Sequence, residues 1–82
     1  MKENIKQIII NGTTVFIFTD NPEQDILILK EAYENRDEIE FEFPLGYEEP
    51  ELSKYKFLGQ EYPCMSLWFD NEDVPDYFLK YV

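Results

Sequence analysis

The side chains able to do chemistry are few in kind. The chain has no histidine, a single cysteine (Cys64) and eighteen Asp and Glu, so paired carboxylates are the most abundant candidates for chemistry. Glu40 and Glu42 are a pair of the type general acid–base catalysis uses, but such work needs one perturbed group in a cleft. Their spacing is what a water-facing strand produces. Cys64 has no imidazole to activate it and lies in the apolar run Cys64-Met65-Ser66-Leu67-Trp68-Phe69, where a thiol is buried and inert. Being alone, it forms neither an intramolecular disulfide nor a multi-cysteine metal site.

Asp70-Asn71-Glu72-Asp73 crowds oxygen ligands together in a way that invites calcium. The run lacks the glycine at the sixth position and the glutamate at the twelfth that an EF-hand loop requires, and helix capping accounts for it. The three glycines stand at 12, 46 and 59 and form no phosphate-binding loop. The expectation is a non-enzyme with no cofactor and no metal.

Charge is the strongest signal. Eighteen acidic against seven basic residues leave a formal charge of −11 on 82 residues, beyond the ~2–8 units that solubility alone asks of a small domain. Such a charge repels nucleic acid and anionic membranes and attracts basic protein surfaces. The seven Lys and Arg are scattered, whereas phosphate contacts need clustered cations, so direct nucleic-acid binding is not expected. With 44 % hydrophobic residues, seven Phe, six Tyr and one Trp, the chain reads as folded, since disordered segments are poor in aromatics. No apolar run approaches the ~20 residues of a membrane span and no signal-peptide pattern follows Met1. The expected location is the cytoplasm.

The elements that must position these carboxylates follow from periodicity. In residues 38–43 strict alternation sets Glu38, Glu40 and Glu42 on one side of an extended segment and Ile39, Phe41 and Phe43 on the other. The row would repeat every ~6.6 Å, about half the charge density of one DNA strand, so nucleic-acid mimicry would need further carboxylates. Glu48, Glu49, Glu51, Glu61, Asp70, Glu72, Asp73 and Asp76 are the candidates. The plain alternative is that the row protects a solvated strand from edge-to-edge aggregation.

Upstream, residues 5–10 and 13–19 flank Asn11-Gly12, a type I′ hairpin signal. That turn would set Ile10 opposite Thr13, Ile8 opposite Val15 and Lys6 opposite Ile17. Neither face of the hairpin is properly polar, so it is expected to be central in its sheet with both faces at least partly covered, or to use one face for self-association. Asn21 as cap, Pro22 at the first position and Gln24 three residues after the cap predict a helix over about 22–36. Its buried stripe is Ile26, Leu29, Ala32 and Tyr33, with Leu27 outside it.

Downstream, residues 44–50 read as a loop, and 52–58 and 61–69 as strands around a Gly59-Gln60 turn. Trp68 and Phe69 are placed in the core, and Pro63 belongs at an edge, a bulge or a strand start. Val74, Tyr77, Phe78 and Tyr81 match a short amphipathic helix that must dock to be ordered.

The expected fold is a single small α+β domain over residues 1–82 in the order ββαβββα, mostly antiparallel, with the helices packed on its sheet. The expected function is non-catalytic binding of a protein with a basic surface, as an inhibitor or regulator presenting Glu38, Glu40, Glu42, Glu48, Glu49, Glu51, Asp70, Glu72 and Asp73. The alternative is a generic interaction module or small homodimer that uses its aromatic surface, the charge serving only solubility.

Overall fold

A computed structural model describes residues 2–70 and 74–81. Four strands form one antiparallel sheet: β1 (Ile5–Asn11), β2 (Thr14–Thr19), β3 (Glu51–Phe57) and β4 (Gln60–Trp68), in the spatial order β1-β2-β4-β3. One helix, α1 (Pro22–Glu34), connects β2 to β3, and short 3₁₀ helices occupy Lys2–Asn4 and Asp76–Tyr81. The fold is α+β. Because β2 and β3 are each antiparallel to β4, they run in the same direction with β4 between them, and α1 is the crossover that joins them.

The first hairpin turns on Gly12-Thr13, with Asn11 paired to Thr14, Ile10 to Val15 and Ile8 to Ile17. Gly12 alone of the two turn residues has positive φ, at 62°, which is the pattern of a type II′ turn and replaces the expected type I′ turn on Asn11-Gly12. The slip moves the partners of residues 7–10 by two. An even slip leaves those side chains on their expected faces, so Ile8, Ile10, Val15 and Ile17 still share one side, while a bulge between Ile5 and Gln7 breaks the register and pairs Ile5 with Thr19. Of the hairpin's two strands, β1 lies at the sheet edge and β2 is interior, so the hairpin is not central as expected.

The residue types at the helix start act as read from the sequence. The Asn21 side chain donates to the Gln24 side chain at 3.1 Å and accepts from the Gln24 amide at 3.3 Å, an amide of the first turn that it shares with the Asn21 carbonyl at 3.2 Å. Ile26 and Leu29 are buried while Leu27 is 64 % exposed. At the other end Arg36 donates to the carbonyl of Tyr33 at 2.6 Å and lies over its ring at 4.0 Å, a cation where the helix dipole is negative.

The expected third strand over residues 38–43 does not form, so the described order is ββαββ followed by the 3₁₀ helix. Glu38 and Ile39 donate their amides to the carbonyl of Asn35 at 2.9 and 2.8 Å, continuing the helix into turns, and residues 40–50 are irregular. Alternation reports which side chains point inward, not whether the backbone has a ladder. Phe43 is buried, stacks on Tyr77 and meets Phe78 edge-on, and Phe41 packs against Phe43, while Ile39 is 63 % exposed.

The loop and the C-terminal 3₁₀ helix help α1 cover one side of the sheet. The core is Ile8, Val15, Ile17, Met65 and Leu67 from the sheet, Ile26 and Leu29 from α1, and Phe43, Leu45, Phe69 and Phe78 from the connections. The C-terminal element is 3₁₀ and not α-helical, with the Phe78 amide bonded to the carbonyl of Pro75 three residues back, as suits so short a run. Its expected stripe docks through buried Phe78, with Tyr77 and Val74 half-buried beside it. Pro63 sits inside β4, but the β2 ladder stops at Met65, so its missing donor falls where the strand has one neighbour.

Candidate functional site

Strand direction decides where the carboxylates go. β2 starts at Thr14, β3 starts at Glu51 and β4 ends at Trp68, all at the same end of the sheet. α1 leaves the far end of β2 and returns the chain to this near end. Residues 35–50 and Asp70 therefore all emerge here. The topology gathers Glu38, Glu40, Glu42, Glu48, Glu49, Glu51 and Asp70 at one end of the molecule, each of them exposed. Glu72 and Asp73 lie outside the described residues.

Within this end the carboxylates form two neighbourhoods. Glu48, Glu49 and Glu51 line a groove of about 220 Å³ together with Thr14, Ser66 and Trp68. Thr14, Ser66, Trp68 and Glu51 share one sheet face by register, Thr14 opposite Trp68 and Ser66 opposite Glu51. Trp68 is thus on the face away from α1 and partly exposed, whereas its neighbour Phe69 is buried in the core. Among the described residues no lysine or arginine pairs with Glu48, Glu49 or Glu51.

The second neighbourhood is the irregular segment after α1, where Glu40 and Glu42 line a groove of about 330 Å³ with Arg36, Ile39 and Phe41. Glu38 sits in the preceding turn. Arg36 is the only basic residue between 35 and 51, and its guanidinium is held by Tyr33.

The loop that carries Glu48 and Glu49 is tied down at three points. The Tyr47 amide donates to the carbonyl of Trp68 at 2.8 Å, the Tyr33 hydroxyl donates to the carbonyl of Tyr47 at 3.3 Å, and the Tyr47 ring meets Trp68 and Phe69 edge-on. Gly46 makes this approach possible. Its φ is 91°, and a β-carbon there would overlap the Trp68 carbonyl oxygen. Only glycine meets both conditions.

The same sheet face is apolar at its other end. Phe16 and Phe18 of β2 reach Tyr55 of β3 at centroid distances of 5.2 and 6.0 Å, both edge-on. Since β4 runs between those strands, the rings close over it. Cys64, on this face opposite Ser53, is buried there although it is no part of the main core. Burial pushes its thiol above the ordinary value near 9, a backbone hydrogen bond from Tyr55 partly opposing the shift. Burial of the thiol was expected, but the second aromatic cluster that causes it was not. The readable sign was the non-polar second side of the first hairpin, Ile9, Phe16 and Phe18.

What this arrangement offers chemically is a set of outward carboxylates around one indole. Among the described residues no group of three or more His, Cys, Asp or Glu is placed to hold a metal ion, and no helix is long and apolar enough to cross a membrane. No protein-family model, curated protein or solved structure matches this chain.

Proposed function

We propose that the protein is a non-catalytic binding domain that presents the acidic end of its sheet to a basic protein surface. The observation that carries this reading is the convergence of Glu48, Glu49 and Glu51 on one groove beside a partly exposed Trp68. Unpaired carboxylates attract cations at long range, and an indole face adds a short-range cation–π contact for an incoming Arg or Lys. Glu38, Glu40, Glu42 and Asp70 emerge at the same end and extend the field. A protein that covers a cationic nucleic-acid-binding surface in this way acts as its inhibitor or regulator. The recognition is of a cluster and not of a phosphate-like row, because the segment meant to supply even spacing is irregular.

Capture from a nucleic-acid-rich lysate, by the wild-type chain and by a Glu48→Gln/Glu49→Gln/Glu51→Gln variant, tests it. The expected result is a basic protein held by the wild type, released by duplex DNA, lost steeply with salt and not held by the variant. A partner retained equally by the variant, or indifferent to duplex DNA, overturns the reading.

A further inference from the structure

The far end of the open sheet face carries a knob beside a hole. Ile9, Phe18, Tyr55, Phe57 and Tyr62 line a groove of about 400 Å³, in which Phe57 is 55 % and Tyr62 42 % exposed. One residue beyond Phe57, at the tip of the β3–β4 hairpin, Leu58 is 87 % exposed and adopts a φ of 51°, followed by Gly59 at 80°. Two positive φ values make a type I′ turn, where Asn is the favoured first residue because it tolerates left-handed backbone and leucine does not. In the isolated chain Leu58 is doubly unfavourable, strained in its backbone and bare in its side chain. Backbone outliers of this kind persist where they serve a contact.

We propose that this face binds a second copy of the chain, Leu58 of each copy entering the groove of the other. A knob next to its own hole is self-complementary, which is what a two-fold interface requires. Charge permits it here: Lys6 pairs with Asp20 at the rim, and Lys56 and Glu61, opposite one another across the hairpin, lie on the other sheet face by register. The acidic groove begins at Glu51, six residues and about 20 Å along β3 from Phe57, so two copies joined at their aromatic ends keep their acidic ends apart. A basic partner finds no carboxylate cluster at this groove, so the second copy is the better match. The contact is small. Four strands at ~4.8 Å spacing span about 19 Å, and half of such a face falls short of the ~800 Å² per partner of a standard interface, so the dimer is weak and concentration-dependent.

Sedimentation of the wild type and of Leu58→Asn, Phe57→Ser and Leu27→Ser variants over a wide concentration range tests the proposal, with thermal melting of each. The wild type is expected to pass from monomer to dimer with rising concentration, more readily at raised salt, which screens the repulsion of two −11 chains. Leu58→Asn is expected to melt higher than the wild type when monomeric yet dimerise roughly 10- to 100-fold more weakly, the loss of one buried leucine. Phe57→Ser also weakens the dimer, and Leu27→Ser, on the outer side of α1, leaves it intact. A wild type that stays monomeric, a Leu58→Asn variant that dimerises as well as the wild type, or a dimer lost only in Leu27→Ser overturns it. None of these outcomes bears on the acidic end, which is tested separately.

Discussion

The amide of Tyr47 donates to the carbonyl of Trp68 at 2.8 Å, and this bond joins the acidic loop to the strand whose indole shares its groove. Gly46 is what lets the two backbones meet. Gly46→Ala should cost roughly 2 kcal/mol or more, from a strained positive φ and a carbonyl that must move. Urea unfolding measures this. A loss below a few tenths of a kcal/mol would mean that the loop is not held by Trp68.

Raising salt from low to physiological ionic strength should raise the melting temperature, because like charges crowded at one end are screened. The Glu48→Gln/Glu49→Gln/Glu51→Gln variant should melt higher than the wild type at low salt and respond less to added salt. Equal salt responses in the two proteins would place the self-repulsion elsewhere.

Burial holds the Cys64 thiol neutral, its pKa raised above the ordinary value near 9. The folded state therefore keeps its proton where the unfolded state has lost it, and stability falls as pH rises beyond that ordinary value. Below it the contribution is constant. Relative to Cys64→Ala, the wild type should lose unfolding free energy above about pH 9, and native Cys64 should react with alkylating reagents far more slowly than the unfolded chain. A thiol that reacts equally fast in both states would show that the Tyr55 and Phe16 rings do not shut it in.

Phe78 is fully buried and touches Phe43, Phe69 and Tyr77. Phe78→Ala should cost about 3–5 kcal/mol, the usual range for emptying a core ring site, a large part of the stability of so small a protein. Circular dichroism melting checks it. Asn21→Ala, by contrast, removes a cap and should cost about 1 kcal/mol.

The sequence was most readable where a residue's backbone chemistry is local. Asn21, Pro22 and Gln24 marked the helix start and Leu27 was correctly left outside the buried stripe, while Gly12 and Gly59 marked hairpins whose turns each sit one residue off, on Gly12-Thr13 in place of Asn11-Gly12 and on Leu58-Gly59 in place of Gly59-Gln60. It was least readable where the answer is set by distant partners. The alternating run ending at Phe43 has the period of a strand, yet its rings are claimed by Tyr77 and Phe78, thirty-odd residues away, and its backbone pairs with neither edge of the sheet. The hairpin register slipped by two because Gly12 serves as first and not second turn residue, a choice that residue types alone leave open. For the acidic end, the individual glutamates were visible in the sequence, but their gathering was not. It follows from β2 and β3 running in the same direction, which is a property of strand order.

Gathering seven of the carboxylates near where β2 and β3 begin, against Asp20, Glu23, Asp25 and Glu61 toward the other end, also makes the molecule a lopsided electric object, heavier in negative charge at one pole. In a non-uniform field such a body feels a torque as well as a pull. Within roughly 8 Å of a cationic surface at physiological salt, the Debye length, it would swing its Trp68 pole forward before touching, so that tumbling collisions are converted into aligned ones.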